Sequence, residues 1–94
     1  MAIQSFADKL TEAFFHDERC PAAWRMFQKV AARKLDMLDA AVTLSDLRSP
    51  PGNRLEALKA DRRGQHSIRI NAQWRVCFVW TPDGPENVEI VDYH

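Results

Sequence analysis

Two cysteines, no long apolar run and no net charge are the first features of this 94-residue sequence. Each scarcity excludes something. Cys20 and Cys77 allow at most one bridge, too few for a disulfide-built fold. Neither has the spaced Cys or His companions of a structural zinc site, so no metal and no other cofactor is expected. A reducing, cytoplasmic setting suits both thiols, and Cys77, inside Val76-Cys77-Phe78-Val79-Trp80, reads as a small buried hydrophobe. The short apolar runs exclude a membrane-spanning helix. The opening residues, Met1 to Asp8, supply neither the basic nor the apolar part of a secretory signal. There is no internal repeat and no low-complexity stretch.

What is present is ordinary globular composition, 46% hydrophobic and 28% charged, in a chain sized for one domain over residues 1–94. Thirteen bases and thirteen acids cancel in total but not along the chain. From Arg48 to Arg75, the seven bases Arg48, Arg54, Lys59, Arg62, Arg63, Arg69 and Arg75 face only Glu56 and Asp61, leaving +5. The other six bases and eleven acids leave −5. Such asymmetry suits a small domain with one surface for a polyanion, and equally a solvated strand-and-loop surface.

Periodicity changes midway. Ile3 to Phe6 reads as a short strand, and Ser5 or Asp8 as the cap of a helix carrying Leu10, Ala13 and Phe14 on one face and ending near Asp17–Cys20. His16, near its end, reads as a surface residue. Pro21 sits at a helix start, and helical spacing then runs from Ala22 to about Val42. Trp24, Phe27, Ala31, Leu35 and Leu38 form one stripe there, flanked by Val30 and Ala41, which reads as a core face. Thr43–Leu47 suits one more helical turn, and Ser49-Pro50-Pro51-Gly52-Asn53 a loop. Four strand-like runs follow: Arg54–Lys59, Gln65–Ile70, Trp74–Trp80 and Asn87–Tyr93. Asn71-Ala72 and the segment Thr81–Glu86 supply turns, short enough to favour antiparallel neighbours. The expected fold is α+β, two N-terminal helices packed on one face of a small, mostly antiparallel sheet.

Strand alternation sorts the side chains. Trp74, Val76, Phe78 and Trp80 should cover the helices, with His66, Ile68 and Ile70 on the same side. Ser67, Arg69, Arg75 and Cys77 then share the helix-free face, near Lys59 and Arg62. Guanidinium and ammonium groups clustered on a sheet face suit phosphate oxygens, although pairing with surface carboxylates is the plainer alternative. The chain ends Val91-Asp92-Tyr93-His94, which puts an imidazole beside its own α-carboxylate, a charge that favours the protonated ring.

Leu58-Lys59-Ala60-Asp61-Arg62, then Asn71-Ala72-Gln73-Trp74-Arg75, then the terminal Asp92-Tyr93-His94 together resemble the HigB branch of the RelE/YoeB-like toxin superfamily, over essentially the whole chain. The resemblance implies a RelE-like toxin fold and a ribosome-dependent mRNA endonuclease of a type II toxin-antitoxin system. It implies as partners a HigA-like helix-turn-helix antitoxin, mRNA and the 30S A site of the ribosome, and no membrane. By the same resemblance Lys59, Arg69 or Arg75, and His94 hold and cleave mRNA, with Tyr93 beside the catalytic histidine. Two departures stand out. Glu56 occupies a position that is His in many HigB relatives, whereas YoeB-type relatives carry Glu there and use it as a base. His66 replaces a frequent Trp and, from its helix-facing side, suits packing or an interface. The resulting assignment is Glu56 as general base, His94 as general acid, and Arg75 with Lys59 as phosphate clamp, with the reverse acid–base pairing open. Arg62, Arg63, Arg69 and Asp92 are expected to contact RNA. A non-nuclease binding protein such as a gyrase inhibitor, or an inactive remnant, is the competing expectation.

Overall fold

The computed structural model describes residues 2–92; the expectations for Tyr93 and His94 lie outside them. Helix α1 spans Lys9–Asp17 and helix α2 spans Gln28–Ala40. Strands β1 (Glu56–Ala57), β2 (His66–Arg69), β3 (Trp74–Thr81) and β4 (Gly84–Asp92) form an antiparallel sheet in that order. The α+β expectation holds, helices on one face of the sheet.

Local chemistry sets the helix ends. Asp8, rather than Ser5, caps α1: its carboxylate accepts from the Thr11 amide at 2.7 Å. Glu18 closes α1 in the left-handed region at φ 57°. The expected continuous helix from Ala22 to Val42 is in fact two pieces. Ala22–Phe27 is a 3-10 turn, and Phe27 breaks regularity at φ −120°, ψ 18° before α2 begins. The tighter three-residue repeat brings Trp24 and Phe27, three apart, onto one buried side, which an amphipathic count cannot distinguish from an α-helical stripe.

The stripe is the core. Trp24, Phe27, Ala31, Leu35 and Leu38 pack against Ile68, Ile70, Val76, Phe78, Val88 and Ile90 from the sheet, with Phe14 from α1. Trp74 closes the end of this layer, its ring 5.2 Å from Phe27 and 6.5 Å from Trp24.

The strand limits differ from expectation where backbone conformation intervenes. Arg54 (φ 45°) and Ala60 (φ 53°) bracket the first run, so only Glu56 and Ala57 pair with β2. The expected turn Thr81–Glu86 contracts to Pro82-Asp83, because Gly84 takes φ 127° and lets Thr81 pair with Gly84. Asn87 (φ 52°) lies in a register shift where β4 carries one more residue than β3, keeping Val88 and Ile90 facing the core. The expected first strand is reduced to one parallel bridge, Phe6 to Val88. That segment, with Thr11 Oγ1 accepting from the Ile90 amide at 3.1 Å, covers the outer edge of β4.

Candidate active site

The helix-free face is built by register. Glu56, Ser67, Cys77 and Glu89 stand opposite one another across β1, β2, β3 and β4, forming one transverse row. Arg69, Arg75 and Val91 form the next. Two guanidiniums directly opposite in an antiparallel pair repel, so the fold accepts a local cost that a bound anion would relieve.

Arg75 is held from two sides. Its Nε donates to Ser67 Oγ at 2.6 Å, and one terminal nitrogen donates to the Arg54 carbonyl at 2.7 Å. Neither partner is a carboxylate, so the full positive charge of the guanidinium is retained while its orientation is set. The Arg54 carbonyl is in turn carried by a loop anchored to α2. Asn53, fully buried, accepts from Lys34 Nζ and donates to the carbonyls of Leu47 at 3.2 Å and Ser49 at 3.3 Å. Burial, with Arg33 and then Arg69 nearby, lowers the Lys34 ammonium below its ordinary value.

Arg62, expected to contact RNA, makes an ion pair within the protein. Its guanidinium crosses the sheet face to Glu89 at 2.7 Å and Gln65 at 3.0 Å. The Cys77 thiol lies beneath this ion pair, fully buried although it points away from the helices. Burial pushes the thiol up to about 11, with Arg62, Glu89, Arg75 and Glu56 as the charges around it. Cys77 is therefore a neutral part of the floor of this face, with four charged side chains near it. Both cysteines are free.

The other sequence-derived residues divide. Glu56 is exposed and shares its row with Ser67. Lys59 is exposed where the chain leaves β1, immediately before the turn Ala60–Arg62. Arg63, also exposed, ends that turn and is outside the two rows. Asp92 has the strand parity opposite to Val91 and accepts from Gln73 Nε2 at 2.9 Å, at the end of the sheet. His66 lies at the helix-facing edge, its ring stacked on Phe78 at 6.3 Å. Ser67 and Glu89 carry parts that sequence reasoning left unassigned. Parity alone placed Ser67 on this face; nothing local marked Glu89 as the partner of an arginine 27 positions away. Among the described residues, no group of three or more Cys, His, Asp or Glu side chains is placed to hold a metal ion, and no helix is long and apolar enough to cross a membrane.

Comparison with known proteins places this architecture. In solved structures, a YoeB/ParE toxin from Agrobacterium tumefaciens superposes with a TM-score of 0.53 over 100% of this chain and 99% of its own, at 19% identity, which supports the fold alone. Toxin HigB-1 from Vibrio cholerae is 41% identical over 98 residues, covering 100% of this chain and 98% of that protein. An uncharacterised Haemophilus influenzae protein is 43% identical over 60 residues, 64% of this chain and 59% of its own length. The family model described as the RelE-like toxin of type II toxin-antitoxin system HigB matches residues 4–94. The chain belongs to the HigB-like toxin family.

Proposed function

We propose that the protein cuts mRNA on the ribosome by acid–base chemistry, as the toxin half of a cytoplasmic type II pair. The observation that carries this reading is Arg75, fixed by Ser67 and the Arg54 carbonyl on the same sheet face as Glu56, with no carboxylate among the described residues in an ion pair with it. In the proposed reaction Glu56 takes the proton of a ribose 2′-hydroxyl. The 2′-oxygen then attacks the adjacent 3′-phosphorus, and Arg75 with Lys59 stabilises the charge that builds on the phosphoryl oxygens. The bond to the 5′-oxygen breaks, and that oxygen leaves with a proton from His94. Tyr93 adjoins His94 in sequence and is assigned to the same end of the site. Arg69 extends the clamp, Arg63 and Asp92 meet flanking RNA, and Arg62 shapes the floor through Glu89. A HigA-like antitoxin with a helix-turn-helix domain is the proposed neutralising partner, and the 30S A site the place of action.

Single-turnover cleavage of mRNA on programmed ribosomes tests the reading. Glu56→Gln and His94→Gln should each slow cleavage by about 10²–10⁴-fold. Wild-type rates in both variants would remove the acid–base pair. Growth arrest without any mRNA 5′-ends appearing would favour a binding toxin, such as a gyrase inhibitor, on the same fold.

A further inference from the structure

One feature outside the two rows has no assigned role. A cleft of about 410 Å³ opens where the sheet's β1 edge meets the 3-10 turn Leu44–Arg48, lined by Leu44, Ser45, Arg48, Leu55, Ala57 and His66. Its walls combine two leucines, a hydroxyl, an imidazole and a guanidinium. Arg48 is exposed and forms no ion pair with a carboxylate among the described residues. His66 is unusual in another way: its Nδ1 is buried without a hydrogen-bond partner. An orphaned acceptor is tolerated better than an orphaned donor, so the ring proton belongs on Nε2. Nε2–H is then the polar group that the ring has to offer the cleft.

The position of the cleft says what it is for. Leu55 and Ala57 line it, while Glu56, between them, points to the opposite side and stands in the row with Ser67. A two-residue edge strand is therefore all that separates the cleft from the proposed cleavage face. Exposed Arg48 and Arg54 continue the positive charge around that edge. A polyanion on the helix-free face has a cationic route into the cleft, and an apolar wall with one donor beyond it is the chemistry of a nucleobase contact.

We infer that this cleft is a subsite for a nucleotide of the same single-stranded RNA, adjoining the one cleaved. Arg48 takes its phosphate, Leu44 and Leu55 contact the base, and His66 Nε2–H donates to a base or ribose oxygen. The inference rests on the RNA-cleaving reading for its ligand, but binding alone can test it.

The full chain is titrated with a dinucleotide and with a hexanucleotide, both 2′-O-methylated so that cleavage chemistry is absent. In the wild type the hexanucleotide should bind more tightly and shift the His66 imidazole nitrogen resonances. Arg48→Gln changes an exposed residue outside the core, and His66→Phe keeps an aromatic ring without the N–H donor. Each should erase about fivefold to tenfold of the gain in affinity from dinucleotide to hexanucleotide, the scale of one hydrogen bond. Arg48→Gln should also flatten the log–log salt slope by about 0.7. An unchanged gain in both variants overturns the subsite. So does an imidazole that responds to an acidic peptide and not to RNA, which would assign the cleft to a protein partner. A wild type that shows the cleft-dependent gain yet cleaves nothing on ribosomes keeps the subsite and refutes the nuclease.

Discussion

The two sides of the β2–β3–β4 sheet are made by the same strands and do opposite work. Toward the helices, Ile68, Val76, Phe78, Val88 and Ile90 are each no more than 4% exposed and pack with apolar residues of α1, α2 and the turn between them. Away from the helices, alternate residues of those strands are Ser67, Arg69, Arg75, Cys77 and Glu89, and they include two opposed arginines and a buried thiol under an ion pair. A period of two lets one short segment supply stability on one face and reactive, mutually repelling groups on the other. Because no side chain serves both, the two faces should fail separately under mutation.

The largest effect is expected on the helix side. Phe78→Ala should cost about 3–5 kcal/mol of stability, measured as a shift of the urea midpoint. A cost below about 1 kcal/mol would mean that the apolar face is not the principal source of stability. The matching break on the other face is Arg75→Gln. Ribosome-dependent cleavage should fall by about 10²–10³-fold with a much smaller change in the urea midpoint. Equal damage to folding and cleavage would dissolve the division of labour.

Cys77 tests the boundary between the faces, being buried like a core residue but placed among charges. Burial pushes its folded thiol up to about 11 from an ordinary 9.0, so between those pH values the folded state binds more protons than the unfolded one. Its contribution is fully present below about pH 9 and is lost as pH rises through about 11, on the order of 2–3 kcal/mol in all. Cys77→Ala should flatten the fall of stability over that range, whatever its offset at neutral pH. Identical slopes for the two proteins would show that burial does not hold the thiol neutral.

Smaller effects should come from groups that position charge without carrying chemistry. Ser67→Ala removes the 2.6 Å partner of Arg75 Nε and should slow cleavage about tenfold, the value of one hydrogen bond at the transition state. A rate equal to wild type would leave the Arg54 carbonyl as the sufficient anchor. Glu89→Gln removes the carboxylate opposed to Arg62 and should tighten binding of non-cleavable single-stranded RNA a few-fold, by roughly 0.5–1 kcal/mol, while weakening its salt tolerance. Looser binding would show that Glu89 supports the RNA face instead of restraining it.

Much of this contrast was legible in the linear sequence, because it rests on local rules. The 3–4 spacing of Trp24, Phe27, Ala31, Leu35 and Leu38 marks a buried stripe whichever helix type carries it. Alternation alone put Arg69, Arg75 and Cys77 on one side of the sheet and Val76 and Phe78 on the other. The zero net charge divided into two opposite regions by a simple count, since the surplus of bases falls within one stretch, Arg48 to Arg75. Element limits were less legible: the positive φ values at Arg54 and Ala60 end the first strand and that at Asn87 sets the register shift in β4, and of the three only Asn87 is a residue type that favours that region.

What only the tertiary structure decided is which charges meet. Arg62 could not be assigned to Glu89 from sequence, because they are 27 positions and two hairpins apart before the sheet brings them to 2.7 Å. Nor could the clamp on Arg75 be read, since one of its anchors is a backbone carbonyl of Arg54 on a loop that Lys34 and Asn53 tie to α2. Periodicity determines which side of an element a residue occupies, for it depends on backbone geometry over a few residues. Partnership depends on register and loop closure across the whole chain, and those are settled only when the core packs.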